Sequence, residues 1–512
     1  MEWGARSRQR KRFFSLAAVA LIGLSATACT VASLSPSPVV IGSAQVSPAT
    51  SPSNPAQSAT PSGNATGTPV LTTPTATPAP TYTPEQEPSN SPTPPLPSGP
   101  LPSLGPVPTG IWTGLKWIAI PGGHAPAVPG ANAESVGPNA TLGGWSRGYV
   151  EFVWNPSKRS LTPWVSADGL RWQVGARLDT STWTAEFAQY DAGNPGTDVD
   201  PLYHDACAFE IDNFEQGPSS ILLVGNVTCG GGCGGPWTTS EATWTSPDGT
   251  AWTALDTAKV FGSAGVGPIS GGSSGYIALS ASGSPELWLS SDGQAWDRGT
   301  LPAEALAKGN SVNNPVAVAG GFVLPGVVVV RKGHQTSGSG GGGCVGFGPT
   351  DQSLYQGAIW WSPDGRTWTR DTLSGLPSAY GPVSMSLIRI DDHTVVADER
   401  ITASDGSGPI AEAQWGSNDG RTWARLKGEL VSPYSPGNVV PGRSRGLVTW
   451  YQESPDQNRP VFSVIDPAFK PVVLKESGSA PWIDDWQMAL GPTGLLVTAD
   501  GSRFWIGVPT EG

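Results

Sequence analysis

A nine-position pattern, W-x-S-x-D-G-x-x-W, occurs five times in this 512-residue chain: at Trp164–Trp172, Trp244–Trp252, Trp288–Trp296, Trp360–Trp368 and Trp415–Trp423. Each copy reads as a β-hairpin. The triplet x-Asp-Gly suits a three-residue loop, a type I turn followed by a glycine in the left-handed region. Pro247 and Pro363 fall where such a turn wants a fixed negative φ, and Gly249 and Gly365 where φ must be positive. A loop centred on the Asp sets the two Trp residues, four positions to either side, opposite each other. Trp164 is then expected to oppose Trp172, and Trp360 to oppose Trp368, on one face of a sheet. Such aromatic pairs contribute roughly 0.2–1 kcal/mol beyond ordinary pairs, and each ring buries on the order of 150–250 Å². Ten of the 22 Trp residues lie in these hairpins, which makes them a main source of core.

Low charge (14% of residues) together with 67 Gly and 51 Pro points to an all-β protein with many turns. Strand-like runs recur between the hairpins. The clearest set is Ser384–Ile390, Thr394–Ile401, Ile410–Ser417 and Arg421–Leu426. The hairpin aspartates, Asp168, Asp248, Asp292, Asp364 and Asp419, are spaced by 80, 44, 72 and 55 residues. A four-stranded unit takes about 40–50 residues, so the longer intervals are expected to hold loop insertions.

The repeated stretch resembles the Asp-box (BNR repeat) of sialidase-like β-propellers, S-x-D-x-G-x-T-W, with one residue fewer between Asp and Trp. In that family the box joins the two outer strands of a blade, away from the central site. The resemblance therefore implies a structural role for the five aspartates, for Trp172, Trp252, Trp296, Trp368 and Trp423, and for Ser362. It also implies a β-propeller over residues 109–512. A sixth unit fits 429–475, with a decayed box at Phe462–Asp466. The stretch Thr498–Trp505 imitates a box but leaves room for only three strands before the chain ends. The missing outer strand is best supplied by Gly110–Pro121, closing a ring of seven blades; rings of six and eight stay open as alternatives.

Residues 1–28 read as a targeting segment. Arg6, Arg8, Arg10, Lys11 and Arg12 precede an apolar run, Phe13–Leu24, too short to span a bilayer. Small residues directly before Cys29 resemble a bacterial lipobox, which implies cleavage there and lipidation of the Cys29 thiol. Residues 29–108, almost all Ser, Thr, Pro, Ala and Gly, read as a disordered tether with a reach of roughly 50 Å. The expected location is the extracytoplasmic face of the cell membrane, as a lipid-anchored monomer. Without residues 1–28 the chain carries 24 Lys+Arg and 40 Asp+Glu, a net charge of −16. That charge repels phosphate backbones, so nucleic acid is not an expected partner.

Cys207, Cys229, Cys233 and Cys344 are disulfide candidates in an exported protein. Cys207 and Cys229 lie symmetrically about the turn signal Gln216–Ser219, which leaves Cys233 for Cys344. The alternative pairs Cys229 with Cys233 and Cys207 with Cys344. His204, Cys207, Cys229 and Cys233 have a weakly zinc-like spacing, but oxidised thiols are the favoured reading. No metal or other cofactor is expected. A sialidase-like site needs three converging Arg residues, a Tyr–Glu nucleophile pair and an acid/base Asp. The expected inner strands carry only Arg389 and Arg443. Glu210 and Asp212, two apart on a strand, share a face. With Arg389 they are the candidate ligand-binding residues, as a glycosidase pair or a cation site, against a bland reading as a solvated strand. Asp391 and Asp392 before His393 read as turn chemistry. The expected function is binding of a protein or glycan through the loops of one disc face, without catalysis. The alternatives are a glycoside hydrolase or lyase at the channel and an assembly factor for a membrane complex.

Overall fold

The computed structural model describes residues 101–512 except 121–139, 156–158, 184–206, 231–236, 282, 334, 337–349, 352, 372, 381, 403–408, 428–429, 431–438, 444, 455–456, 479–485, 500–502 and 512. The candidate anchor Cys29 and residues 29–100 of the tether, with His204, Cys233 and Cys344, lie outside the described residues, while the last tether residues pack on blade 7, where the Val107 amide donates to Pro492 O at 2.8 Å.

The chain is a seven-bladed β-propeller. Blade 1 is an antiparallel meander of Ala140–Trp145, Gly148–Asn155, Ser160–Ser166 and Gln173–Val174, from the channel outwards. Blades 2, 3, 5 and 6 repeat this order from inner strands Cys207–Gln216, Val266–Gly272, Val383–Arg389 and Val439–Val440. Blade 4 is enlarged. Its long second and third strands, Gly321–Arg331 and Leu354–Ser362, are flanked by the short strands Ser311–Val312, Val316–Val318 and Ala379–Tyr380 as well as by its outer strand, Thr369–Asp371. Ring closure follows the expectation. Trp112–Ile120 pairs antiparallel with Arg503–Glu511 in blade 7, with Lys116 opposite Val508. The burial of Trp112, Leu115 and Trp117 (each at most 2% exposed) anchors that strand. A fifth strand, Lys475–Gly478, then joins it in parallel, a feature the sequence did not suggest. Leu495–Ala499 and Arg503–Glu511, on either side of Asp500 in the sequence, are the second and third strands of blade 7, whereas each box lies between a third and a fourth strand.

The box hairpins depart from the expected register. In all five the pairing is three residues before the Asp to five after it: Val165 with Gln173, Thr245 with Thr253, Leu289 with Asp297, Trp361 with Thr369 and Gly416 with Ala424. Trp164 therefore faces Val174, not Trp172, and Trp360 faces Arg370, not Trp368. The cause is the aspartate itself. Its Oδ1 accepts the amides two and three residues on, at 2.9 and 2.8 Å for Asp364 and 2.8 and 2.6 Å for Asp419. The buried Ser362 hydroxyl accepts the Gly365 amide at 2.8 Å. These bonds widen the turn and centre it on the glycine, whose φ is 66° at Gly365 and 82° at Gly249. The second Trp is still within the turn, before the outer strand begins.

The displaced rings do a different job. Trp172 packs at a tilt against Phe504 of blade 7 (5.6 Å), and Trp252 meets Phe152 of blade 1 edge-on (5.2 Å). Trp368 donates to Thr300 O beyond the outer strand of blade 3, and Trp423 to Asp371 of blade 4. In four of the five boxes the first Trp sinks into the same interface: Trp244, Trp288, Trp360 and Trp415 are buried, while Trp164 is half-buried. Each box clamps its blade to the preceding one.

Two sets of carboxyls give stability opposite pH dependences. Burial raises the carboxyls of Asp168, Asp248, Asp292 and Asp419, but their amide hydrogen bonds outweigh it; at Asp364 the Thr367 and Arg366 amides dominate. All five are held below the ordinary carboxylate range. Their contribution is present above about 3.9 and is lost as pH falls through the folded-state values. Glu151 is the reverse: fully buried in blade 1, with neither oxygen hydrogen-bonded, it is pushed well above the ordinary range by desolvation. Desolvation also lifts Glu399, to about 7. Their contribution is present below about 4.3 and is lost as pH rises through the higher folded-state values. Denaturation midpoints against pH should therefore peak on the acid side of neutrality, and Glu151→Gln should flatten the fall above the peak. A profile flat from pH 4 to 8 would contradict the orphaned burial of Glu151.

Candidate functional site

In an antiparallel meander the turn from first to second strand lies at the same end as the turn from third to fourth. The inner strands therefore end on the face of the disc that carries the boxes. There the channel is crossed by charge. Arg389, the last residue of its inner strand in blade 5, meets Glu215 of blade 2, with Nη2 and Oε2 2.5 Å apart. Blades 2 and 5 are not neighbours, so this pair spans the channel. Arg389 Nη1 lies 3.7 Å from Asp392 Oδ1 and also donates to Gly271 O of blade 3. Asp392 Oδ2 takes Arg443 Nε at 3.2 Å, and Arg443 Nη1 donates to Gly217 O at 2.7 Å. The Gly271 amide completes Glu215 at 3.1 Å. Blades 2, 3, 5 and 6 are thus tied together by two guanidinium groups and two carboxylates whose formal charges cancel. Arg389 and Glu215 are 13% and 14% exposed, so each is costly to leave without the other. Burial raises the Glu215 carboxyl, and the Arg389 charge opposes that rise.

The belt continues to either side. Gln216 exchanges two hydrogen bonds with Ser146 of blade 1, and Gln487 of blade 7 accepts the Leu142 amide at 2.9 Å. Asp391 does what a turn residue does: its Oδ1 accepts the His393 and Thr394 amides at 2.8 and 2.7 Å.

The candidate ligand residues do not form one site. Asp212 sits at a bulge, between the register positions of Ile211 and Asn213, and takes the Asn226 side chain on both oxygens at 2.7 and 2.8 Å. Glu210 is the register partner of the same Asn226 and is exposed. Arg389 is engaged elsewhere, with Glu215 and Asp392. Glu210 and Asp212 are both exposed, and Asp212 is hydrogen-bonded inside its own blade. Sequence reasoning missed Glu215 and Asp392 as partners. Glu215, next to the last residue of an inner strand that ends at the channel, was the available signal. The register places Cys207 directly opposite Cys229, as the symmetry about Gln216–Ser219 suggested.

No family model matches this chain, and no curated protein matches it. Solved propellers do resemble it in structure. The complex of Kap60 with yeast RCC1 (Prp20) matches at 8% identity, covering 81% of this chain and 95% of the other, with a TM-score of 0.32. A Trypanosoma rangeli sialidase mutant displaying trans-sialidase activity matches at 8% identity over 80% of this chain and 60% of the other, with a TM-score of 0.29. A Bombyx mori GH32 β-fructofuranosidase matches at 11% identity, over 72% and 88%, with a TM-score of 0.22. At these scores the likenesses add nothing to what the chain's own strands say about its fold.

Proposed function

We propose that this protein is a lipid-anchored binding module of the extracytoplasmic membrane surface, which holds a protein or glycan through the loop face of its propeller without catalysis. The observation that carries the reading is the belt at the box end of the channel. Glu215, Arg389, Asp392 and Arg443 are bound to one another across the ring, and groups so paired serve closure of the fold. The described strands that lead into the blade-to-blade connections, and into the second-to-third-strand connection of blade 4, end on the opposite face. The lipobox-like run before Cys29 and the tether after it supply the address.

The test is the full chain applied to glycan, cell-wall and surface-protein arrays, with a reducing-sugar assay on every glycan bound. The expected result is binding without turnover, with the protein moving from the membrane to the soluble fraction in Cys29→Ser. A rival reading, a hydrolase or lyase at the channel, draws its support from the convergence of Glu215 and Asp392 on Arg389. Turnover abolished by Glu215→Gln would replace the binding reading with that one.

A further inference from the structure

A second polar centre lies at the interface of blades 4 and 5, well away from the channel belt. The outer strand of blade 4 stops early: Asp371 is opposite Ile359, and the edge of the third strand is next covered only where Tyr355 meets Ala379. Between these points Gln356, Gly357 and Ala358 pair with the second strand on their inner side and have no described strand on their outer side. The gap is a cavity of about 430 Å³, closed on its far side by Leu373, Gly375 and Leu376. That volume lies within the range of small-ligand sites, about 300–1,000 Å³.

The groups around it are polar and mixed in sign. Asp371 lines the cavity and is held by Trp423 Nε1 at 3.2 Å. A Cβ at Gly375 would stand 2.8 Å from Arg425 Nη1, so that guanidinium packs against the Gly375 backbone. Arg370, also in the lining, is engaged by Glu304. Behind the exposed edge, Glu399 of blade 5 reaches across to the Gly357 amide at 2.8 Å through Oε1. Its Oε2 has no hydrogen-bond partner among the described residues, although the residue is only 1% exposed. The lining thus carries one carboxyl, Asp371, and one guanidinium, Arg370, and favours neither a cation nor an anion. An amide and two leucines complete the lining.

We propose that this cavity takes one neutral pyranose unit of a glycan, its hydroxyls bonding Asp371 and Gln356 and its carbon face resting on Leu373 and Leu376. The inference rests on the glycan branch of the binding reading and gives it a location.

The experiment is saturation-transfer NMR on the full chain with the methyl glycosides of glucose, galactose, mannose and N-acetylglucosamine, alongside glycine and acetate. At least one glycoside should bind weakly, with affinity in the millimolar range. Leu376→Trp, which fills the cavity from a loop, and Gln356→Ala should each lower that affinity by roughly tenfold or more, with the melting temperature unchanged. Glu215→Gln, in the channel belt, should leave it as it is. Binding unaffected by either cavity variant would overturn the proposal, as would binding of glycine or acetate only, or of none of the glycosides. Array binding that survives Leu376→Trp would sink the cavity while leaving the broader binding reading intact.

Discussion

Arg389→Ala is expected to lower the free energy of unfolding by about 3–5 kcal/mol, read from urea denaturation. The loss comes less from the attraction removed than from what is left behind. Glu215 is buried opposite Arg389, and Asp392 is 7% exposed with only Arg443 remaining beside it. Stranding a buried carboxylate is the costly event. The variant Arg389→Met/Glu215→Leu, which removes both charges together, is therefore expected to recover most of the loss. Should Arg389→Ala cost less than about 1 kcal/mol, as exposed ion pairs do, the pair does not cross the channel in solution.

The second large effect concerns the boxes. Trp360 is 2% exposed and packs at the interface of blades 3 and 4 with Leu287, Leu324 and Ala358. Trp360→Ala is expected to cost about 3–5 kcal/mol, the range for emptying an aromatic site in a core. Trp368 belongs to the same box but is only half-buried and held by one hydrogen bond to Thr300 O. Its alanine variant should cost less, about 1–3 kcal/mol. Had the two rings been a cross-strand pair, the two variants would be equally damaging and their effects strongly coupled. The account predicts unequal costs, with ligand affinity of the surviving fold unchanged by either.

That contrast shows where the sequence was legible. The x-Asp-Gly triplet announced a turn, and its repetition announced a ring. Strand positions followed closely, down to inner strands such as Ala140–Trp145 and Trp486–Leu490. The closing strand could be found because an apolar run, Ile111–Ile120, had no partner before the first box and the last blade lacked a strand. The register could not be read in the same way. It depends on how many amides the aspartate caps, and an Asp that bonds the amides two and three residues on shifts the pairing away from a three-residue loop. The channel belt was equally hidden, because Glu215 and Arg389 lie 174 residues apart and meet only once the ring has closed. The cavity between blades 4 and 5 arises from an outer strand that stops at Asp371, and nothing in the residue pattern marks that end.

Closure of the ring is the claim on which both the belt and the box interfaces depend, and amide hydrogen exchange tests it most directly. Residues 112–120 should exchange as slowly as 503–511, their antiparallel partners, and both should open together at the free energy of global unfolding. Fast exchange of 112–120 while 503–511 stays protected would show that the N-terminal strand is not part of blade 7, and would contradict a propeller closed by its own two ends.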